Sequence, residues 1–230
     1  MGERSCWSCR STAEDDGQHP LFDAATAAIL ASMMRLVIVD DHPAVRAGVA
    51  ALLEDEPDMT VSAPVATVAE AEAECRRRRA SVLVADYHLP DLDGLSLCLR
   101  LSAHGPPVVL YSAFADDSLA VLAMIAGARA IVPKSADPVD LVATVRAVDQ
   151  GVAPLNEIDA AALRAAGGQL DPEDLPVLGM LTAGVEAAEI ARTLGVEEDW
   201  LAARRWAMVE RLRTRPPRRP PMGVGLHRDA

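Results

Sequence analysis

The stretch Arg35-Leu36-Val37-Ile38-Val39-Asp40-Asp41 is an apolar run that ends in two carboxylates. The same arrangement recurs in Ser81-Val82-Leu83-Val84-Ala85-Asp86 and in Pro107-Val108-Val109-Leu110-Tyr111-Ser112, and Ala130-Ile131-Val132-Pro133-Lys134 repeats it with a cation at the end. Apolar runs without polar alternation are typical of parallel strands that helices bury on both faces. The sequence therefore predicts parallel strands that are each followed by a polar side chain.

Helical segments are predicted between these strands, at 42–54, 68–79, 94–103, 116–126 and 138–150. This alternation predicts an α/β fold, a five-stranded doubly wound parallel sheet of the flavodoxin-like type with strand order 2-1-3-4-5. In that order, ligands bind beyond the carboxyl ends of the strands. Five side chains are expected to converge there: Asp40, Asp41, Asp86, Ser112 and Lys134.

The chemistry of these side chains indicates phosphoryl transfer. Three carboxylates repel one another unless a cation lies between them, and oxygen ligands favour Mg²⁺. Lys134 is the only lysine in a chain with 22 Lys and Arg residues, and a compact ammonium suits a tight anionic pocket better than a planar guanidinium does. Carboxylate, magnesium ion, lysine and hydroxyl together provide the positioning and charge neutralisation that phosphoryl transfer needs.

Four motifs, in this order, resemble bacterial two-component response regulators of the NarL/FixJ class, in which a receiver domain precedes a LuxR-type helix-turn-helix. They are Val39-Asp40-Asp41-His42-Pro43, Asp86-Tyr87-His88-Leu89-Pro90-Asp91-Leu92-Asp93-Gly94, Tyr111-Ser112-Ala113 and Gly127-Ala128-Arg129-Ala130-Ile131-Val132-Pro133-Lys134. The resemblance places a receiver domain at 34–150. It implies a sensor histidine kinase as partner, a homodimer through the receiver, and no turnover of an external substrate.

The resemblance also implies a role for each site residue. Asp86 is the phosphoacceptor, Asp40 and Asp41 hold Mg²⁺ together with Asp86 and the backbone carbonyl of His88, Ser112 is the switch hydroxyl, and Lys134 contacts a phosphoryl oxygen. The sequence departs from the family at Ile131, where an aromatic residue usually stands, and at Ser135, where a proline usually follows the lysine. The phosphorylation chemistry is therefore expected to be intact, whereas the sequence offers no aromatic residue at Ile131 for the usual read-out.

The segments after the receiver predict a small all-α domain. Residues 151–168 read as a linker with a short helix at 159–166, and 169–214 as a degenerate LuxR-type helix-turn-helix. The best match to that family is Glu189-Ile190-Ala191-Arg192-Thr193-Leu194-Gly195-Val196, in which Gly195 supplies the turn. Any other small three-helix unit is the alternative.

DNA contacts are expected from Arg204, Arg205 and Trp206 in the recognition helix. Residues 169–214 nevertheless hold nine acids against five arginines, which opposes the phosphate contacts that supply most of the affinity of such modules. Arg205 also falls in an apolar stripe, so we expect it to bend outward or to pair with an acid such as Glu189. A receiver protein that signals through protein contacts without binding DNA is the alternative function.

A third hypothesis is a phosphohydrolase with an aspartyl nucleophile, similar to haloacid dehalogenase-like enzymes. Those enzymes carry a DxD motif at the first strand. This chain has the adjacent pair Asp40-Asp41 there, and its Asp91-Leu92-Asp93 motif falls in a loop. The pattern therefore disfavours a hydrolase.

The composition limits the remaining possibilities. The chain has 230 residues, of which 50% are apolar, so two modest domains are feasible, and its net charge of −12 argues against unspecific binding to nucleic acid or anionic membranes. No apolar run approaches the roughly 18 to 20 residues of a membrane span, so a cytoplasmic location without membrane partners is expected. Residues 1–33, which include Cys6-Trp7-Ser8-Cys9, are interpreted as a disordered extension, with a metal-sensing arm as the alternative, and 215–230 as a disordered tail.

Overall fold

The computed structural model describes residues 33–102, 104–113, 115–152, 155 and 158–214; apart from Met33, the predicted extension and tail lie outside them. Within the described residues the sheet has five strands: β1 (Met34–Val39), β2 (Met59–Val61), β3 (Val82–Asp86), β4 (Val108–Ser112) and β5 (Ala130–Pro133). All neighbours are parallel, in the order β2-β1-β3-β4-β5. The predicted doubly wound sheet is confirmed.

Five helices alternate with these strands: α1 (Pro43–Glu54), α2 (Val68–Arg78), α3 (Gly94–Leu101), α4 (Asp117–Ala126) and α5 (Pro138–Asp149). Helices α1 and α5 cover one face of the sheet, where Leu53 and Val145 are fully buried. Helices α2, α3 and α4 cover the other face, where Leu97 and Ile125 are fully buried. Both faces are therefore apolar, which is why the strands show no polar alternation.

The register of β1 and β3 brings the first two site residues together. Val39 is the partner of Ala85 across these strands. Asp40 directly follows β1 and Asp86 is the last residue of β3, so the two carboxylates leave the sheet side by side. Position in the sheet, and not proximity in sequence, creates this pair.

The edge strand β2 has no apolar run that predicts it. It comprises only Met59, Thr60 and Val61 and pairs with β1 alone. Because an edge strand pairs on one side only, three residues suffice to extend the sheet there. The sequence signal for such a short strand is correspondingly weak.

Four further helices follow the receiver: α6 (Ala160–Gly167), α7 (Leu175–Thr182), α8 (Ala187–Leu194) and α9 (Glu198–Thr214). Helix α8 is capped by Gly195, whose φ of 67° is left-handed, so the predicted glycine turn between α8 and α9 is confirmed. Pro176 lies in the first turn of α7, where a missing backbone N–H breaks no helical hydrogen bond. These helices form the helical unit of the chain.

One apolar cluster continues from the receiver into the helical unit. Ile125 of α4, Ile190 of α8 and Met208 of α9 are all fully buried members of it. The described residues from Met34 onward accordingly belong to one compact unit. No described helix combines the length and apolar character needed to cross a membrane.

Candidate functional site

The centre of the candidate site is an ammonium group between two buried carboxylates. Lys134 Nζ lies 2.6 Å from Asp40 Oδ2 and 3.0 Å from Asp86 Oδ1. Asp40 and Asp86 are only 3% and 5% exposed. Burial alone would lower the pKa of Lys134, but hydrogen bonds and attraction from the two carboxylates outweigh that effect and raise the pKa above its ordinary value. Lys134 therefore carries its charge at neutral pH.

Backbone contacts fix the lysine beside β4. The Lys134 N–H donates to the carbonyl oxygen of Ser112 at 2.7 Å, because β5 runs parallel to β4 up to this point. The Ser112 side chain is fully buried at the end of β4. The Lys134 ammonium also lies 5.8 Å from the centre of the Tyr111 ring. Lysine and serine thus lie at the same edge of the sheet as the carboxylates.

The outer side of the site is more open. The Asp41 side chain is 39% exposed, and its Oδ1 lies 2.5 Å from His42 Nδ1. The backbone N–H of His42 donates to Asp40 Oδ1 at 2.8 Å, and Arg46 Nη1 donates to the Asp40 carbonyl at 2.6 Å. The start of α1 therefore orients Asp40 towards the interior while Asp41 stays accessible to solvent.

The donor set fits a divalent cation. Carboxylate oxygens of Asp40, Asp41 and Asp86, with a ring nitrogen of His42, lie within 4.8 Å of one another. Three carboxylates face the single ammonium of Lys134, so the pocket retains an excess of negative charge. An ion that prefers oxygen ligands, such as Mg²⁺, would neutralise it.

The loop after Asp86 is held closely to the sheet. Asp86 Oδ1 accepts a hydrogen bond from the Tyr87 N–H at 2.8 Å, and the Gly94 N–H donates to the Tyr87 carbonyl at 2.8 Å. His88 is exposed, and its ring lies edge-on to Tyr87 with centroids 4.7 Å apart. The expected metal contact of the His88 carbonyl stays a prediction.

Both acids of the Asp91-Leu92-Asp93 motif cap helices. Asp91 accepts hydrogen bonds from the backbone N–H groups of Val68 and Ala69 at the start of α2. Asp93 accepts one from the Ser96 N–H at the start of α3, at 2.8 Å. Capping of this kind satisfies N–H groups that have no partner within the helix. A structural role thus accounts for the DxD spacing.

The predicted DNA-contacting residues lie in different environments. Arg204 and Arg211 both bind Asp174, which is 1% exposed; Nε of Arg204 contacts Oδ1, and Nη1 of Arg211 lies 2.9 Å from Oδ2. Trp206 is 37% exposed, comparable with Trp200 at 44%. Arg204 is therefore tied to the helical unit itself, while Trp206 remains accessible.

The expectation that Arg205 bends outward or pairs with Glu189 is wrong. Its side chain is 3% exposed, and its Nε donates to the carbonyl oxygen of Ile125, in the receiver, at 2.7 Å. Burial lowers the pKa of Arg205 to about 10, which still leaves it charged at neutral pH. Sequence periodicity placed Arg205 against an apolar face but gave no sign that part of this face belongs to the receiver.

Comparisons with known proteins agree with this architecture. Residues 36–146 match the response regulator receiver domain family. The chain is 32% identical over 178 residues to the DNA-binding transcriptional activator DevR/DosR of Mycobacterium tuberculosis, and the match covers 72% of this chain and 82% of the relative. It is also 32% identical over 183 residues to the transcriptional regulatory protein UhpA of Escherichia coli, covering 78% and 92%.

A solved structure gives the same result for the receiver. The crystal structure of a LuxR-family two-component response regulator from Aurantimonas sp. is 30% identical, with a TM-score of 0.51, over 54% of this chain and 91% of that one. With full-length relatives matched beyond the receiver as well, the chain belongs to the NarL/FixJ class of two-component response regulators.

Proposed function

We propose that this response regulator accepts a phosphoryl group on Asp86 and regulates transcription by binding DNA through its helical unit. The observation that carries the first part is the position of Lys134, whose ammonium bridges Asp40 and Asp86 at the carboxyl edge of the sheet. A buried carboxylate with an adjacent cation, in a pocket open to solvent on the side of Asp41, is suited to receive a phosphoryl group.

The proposed transfer uses the Asp86 carboxylate as the nucleophile. One of its oxygens forms a bond to phosphorus while the bond from phosphorus to the donor breaks, and the donor leaves with that electron pair. The donor is a phosphohistidine of a sensor histidine kinase or a small acyl phosphate. Lys134 contacts a phosphoryl oxygen, and Ser112 lies at the neighbouring strand end to receive another. Each protein molecule accepts one phosphoryl group on its own aspartate, so the protein is not a turnover enzyme.

Asp40, Asp41 and Asp86 are the residues that would hold Mg²⁺, together with the backbone carbonyl of His88. Bound there, the ion supplies positive charge that offsets the charge of the phosphoryl oxygens. The chain's own part is to keep Asp40 fixed through the His42 N–H and to keep Lys134 charged between the carboxylates.

DNA binding is the proposed output because the relatives that match the chain beyond its receiver include a protein named as a DNA-binding transcriptional activator. The helical unit has the expected glycine turn before α9. Arg204 and Trp206 are proposed to contact DNA, the first through a phosphate, whereas Arg205 is buried against the Ile125 carbonyl and is expected to make no phosphate contact. Because kinase and promoter are both reached from the cytoplasm, we place the protein there, and we propose a homodimer through the receiver.

Phosphorylation is tested by incubating the purified full chain with acetyl phosphate and measuring the intact mass. We expect one added phosphoryl group in the presence of Mg²⁺ and none after chelation. Asp86→Asn should not label, whereas Asp117→Asn, which replaces an exposed acid in the first turn of α4, should label as the parent does. Equal labelling of Asp86→Asn and the parent would show that another group is the acceptor.

DNA binding is tested by titrating labelled promoter fragments from the protein's own genomic neighbourhood at two salt concentrations. Replacing Arg204 with alanine should weaken binding and reduce the salt dependence, by about 0.9 in the log-log slope for each phosphate that is no longer neutralised. If the output is a protein contact, the arginine variant changes little, while Trp206→Ala abolishes partner capture because it removes an exposed aromatic anchor. No specific complex of the phosphorylated parent at low salt would refute the DNA output.

A further inference from the structure

Arg205 reaches out of the helical unit and ends at a helix terminus of the receiver. Its acceptor, the Ile125 carbonyl, belongs to the last turn of α4, where carbonyl groups have no partner within the helix. The C-terminal end of a helix also carries partial negative charge, which favours a cation. Arg205 therefore caps a receiver helix from another part of the chain.

No described carboxylate forms an ion pair with Arg205, and Glu186, which pairs with Arg129, acts on it only at longer range. A buried guanidinium is costly unless its surroundings compensate it. Here the compensation comes from the carbonyl at the end of α4. The guanidinium can therefore stay buried only while α9 is docked so that this hydrogen bond is kept.

Gly127 lies beside the Arg205 guanidinium on the receiver side and leaves room for it. It ends α4 with a φ of 91°, a left-handed conformation that favours glycine. A Cβ atom added there would lie 2.4 Å from Arg205 Nη2 and 3.2 Å from Ser102 Cβ. The lack of a side chain at Gly127 is therefore what admits the guanidinium.

A second arginine of α9 meets the receiver at the loop that begins at the phosphoacceptor. Arg213 Nη2 lies 2.6 Å from Asp93 Oδ2, while its Nη1 donates to Glu210 Oε1 within α9 at 2.9 Å. Nη2 lacks hydrogen-bond geometry, so its contact with Asp93 is electrostatic. Asp93 also caps α3 and is seven residues from Asp86.

We propose that Arg205 and Arg213 are positioning residues that form a two-point clamp between α9 and the receiver, and that Arg213 couples α9 to Asp86 through the loop 87–93. The coupling part rests on the proposed phosphorylation of Asp86. In this chain the route does not use the aromatic read-out of the family, because Ile131 stands at that position and packs, half-buried, against the main apolar cluster. A change in the Asp86 loop instead reaches α9 through Asp93.

The clamp is tested by hydrogen exchange of the full chain, without a phosphodonor. Arg205→Leu keeps an apolar side chain in the stripe of α9 but removes the cap on Ile125. We expect amides at the end of α4 and along α9 to exchange about ten to a hundred times faster, the range that corresponds to removing a hydrogen bond to a charged group. Arg213→Gln should accelerate exchange at the start of α3 and the end of α9.

Two controls separate the clamp from a general loss of stability. Arg192→Gln removes an exposed arginine of α8 that forms no ion pair among the described residues, and it should leave exchange unchanged. Gly127→Ala should accelerate exchange at the α4 end in the parent, through both its left-handed φ and its contact with Arg205. In the Arg205→Leu background the second cause is gone, so the added effect should be smaller. The clamp would be overturned if the effects of Gly127→Ala and Arg205→Leu on exchange rates were strictly additive. It would also be overturned if Arg205→Leu exchanged at the same rate as the parent.

The coupling is tested by repeating the exchange measurement after acetyl phosphate and Mg²⁺, with the labelled fraction of Asp86 determined in the same samples. We expect labelling to accelerate exchange in α9 of the parent, and Arg213→Gln to label equally while showing little of that response. An undiminished response in Arg213→Gln would refute the route through Asp93. A parent that does not label would refute the proposed phosphorylation, whereas the measurements without phosphodonor would still decide the clamp.

Discussion

Lys134 Nζ and Asp40 Oδ2 are 2.6 Å apart, a direct ion pair between the ends of β5 and β1. The same ammonium reaches Asp86 at 3.0 Å, so a single compact cation serves two carboxylates. The lysine side chain is 20% exposed, which leaves little room for a larger head group. The size of the cation should therefore matter as much as its charge.

We predict that Lys134→Arg impairs phosphorylation-dependent signalling nearly as much as Lys134→Ala does. A planar guanidinium cannot take the position of the ammonium between Asp40 and Asp86 without moving one of them. The measurement is the rate of labelling by acetyl phosphate, together with the change in DNA binding that follows labelling. A Lys134→Arg variant with parental labelling and parental response would contradict the size argument.

We predict that Asp174→Asn lowers the free energy of unfolding of the helical unit by about 1.5 to 3 kcal/mol, the usual value of hydrogen bonds to charged groups, because it removes the buried carboxylate that Arg204 and Arg211 share. Chemical denaturation monitored by far-UV circular dichroism measures this. Asp171→Asn is the matched control. Asp171 also contacts Arg211, at 2.6 Å, but its side chain is 53% exposed, so its replacement should cost less than about 1 kcal/mol. Equal effects of the two variants would contradict the role of burial.

We predict that Gly94→Ala destabilises the receiver by about 1 to 3 kcal/mol, the usual cost of forcing an extra group into a packed site. The added Cβ would lie 2.5 Å from the backbone carbonyl of Asp86 and 2.9 Å from Leu110 Cδ2. Gly48→Ala, within α1, is the control: nothing lies within 4 Å of its Cβ position, so alanine should stabilise the helix by about 0.5 to 1 kcal/mol. Thermal unfolding of both variants against the parent should therefore give shifts of opposite sign.

The stabilising effect of Asp58 should depend on pH. Hydrogen bonds from Arg146, at 2.8 and 2.7 Å, hold the pKa of Asp58 below its ordinary value, and Arg146 also binds Glu56. A carboxyl whose pKa is lowered on folding stabilises the protein above its unfolded pKa, and this contribution disappears as the pH falls through the folded pKa.

The difference in melting temperature between the parent and Asp58→Asn should therefore be constant from neutral pH down to about pH 5 and shrink below about pH 4. Its size should be modest, because the Asp58 side chain is 43% exposed and its ion pair is screened by solvent. A difference that grows on acidification would have the wrong sign for this ion pair.

The sheet and the residues at its carboxyl edge could be predicted from the amino-acid sequence. Apolar runs of this kind are stable only between two layers of helices, and parallel strands of a doubly wound sheet end at a common edge. Asp40, Asp86, Ser112 and Lys134 were therefore expected at one edge on pattern alone. A fifth strand at this edge was predicted, but the residues of β2 were not, because three residues with one polar side chain carry too little periodicity.

The contacts of the α9 arginines, in contrast, become visible only in the folded molecule. Periodicity assigned Arg205 to an apolar face, but the acceptor on that face, Ile125, is 80 residues away in the sequence. The same holds for the contact of Arg213 with Asp93. Local sequence specifies strands, helices and their caps through short-range sterics and hydrogen bonds. Which surfaces of the receiver and the helical unit meet depends on the packing of the whole chain, and that packing turns an expected DNA contact into a contact between two parts of the same molecule.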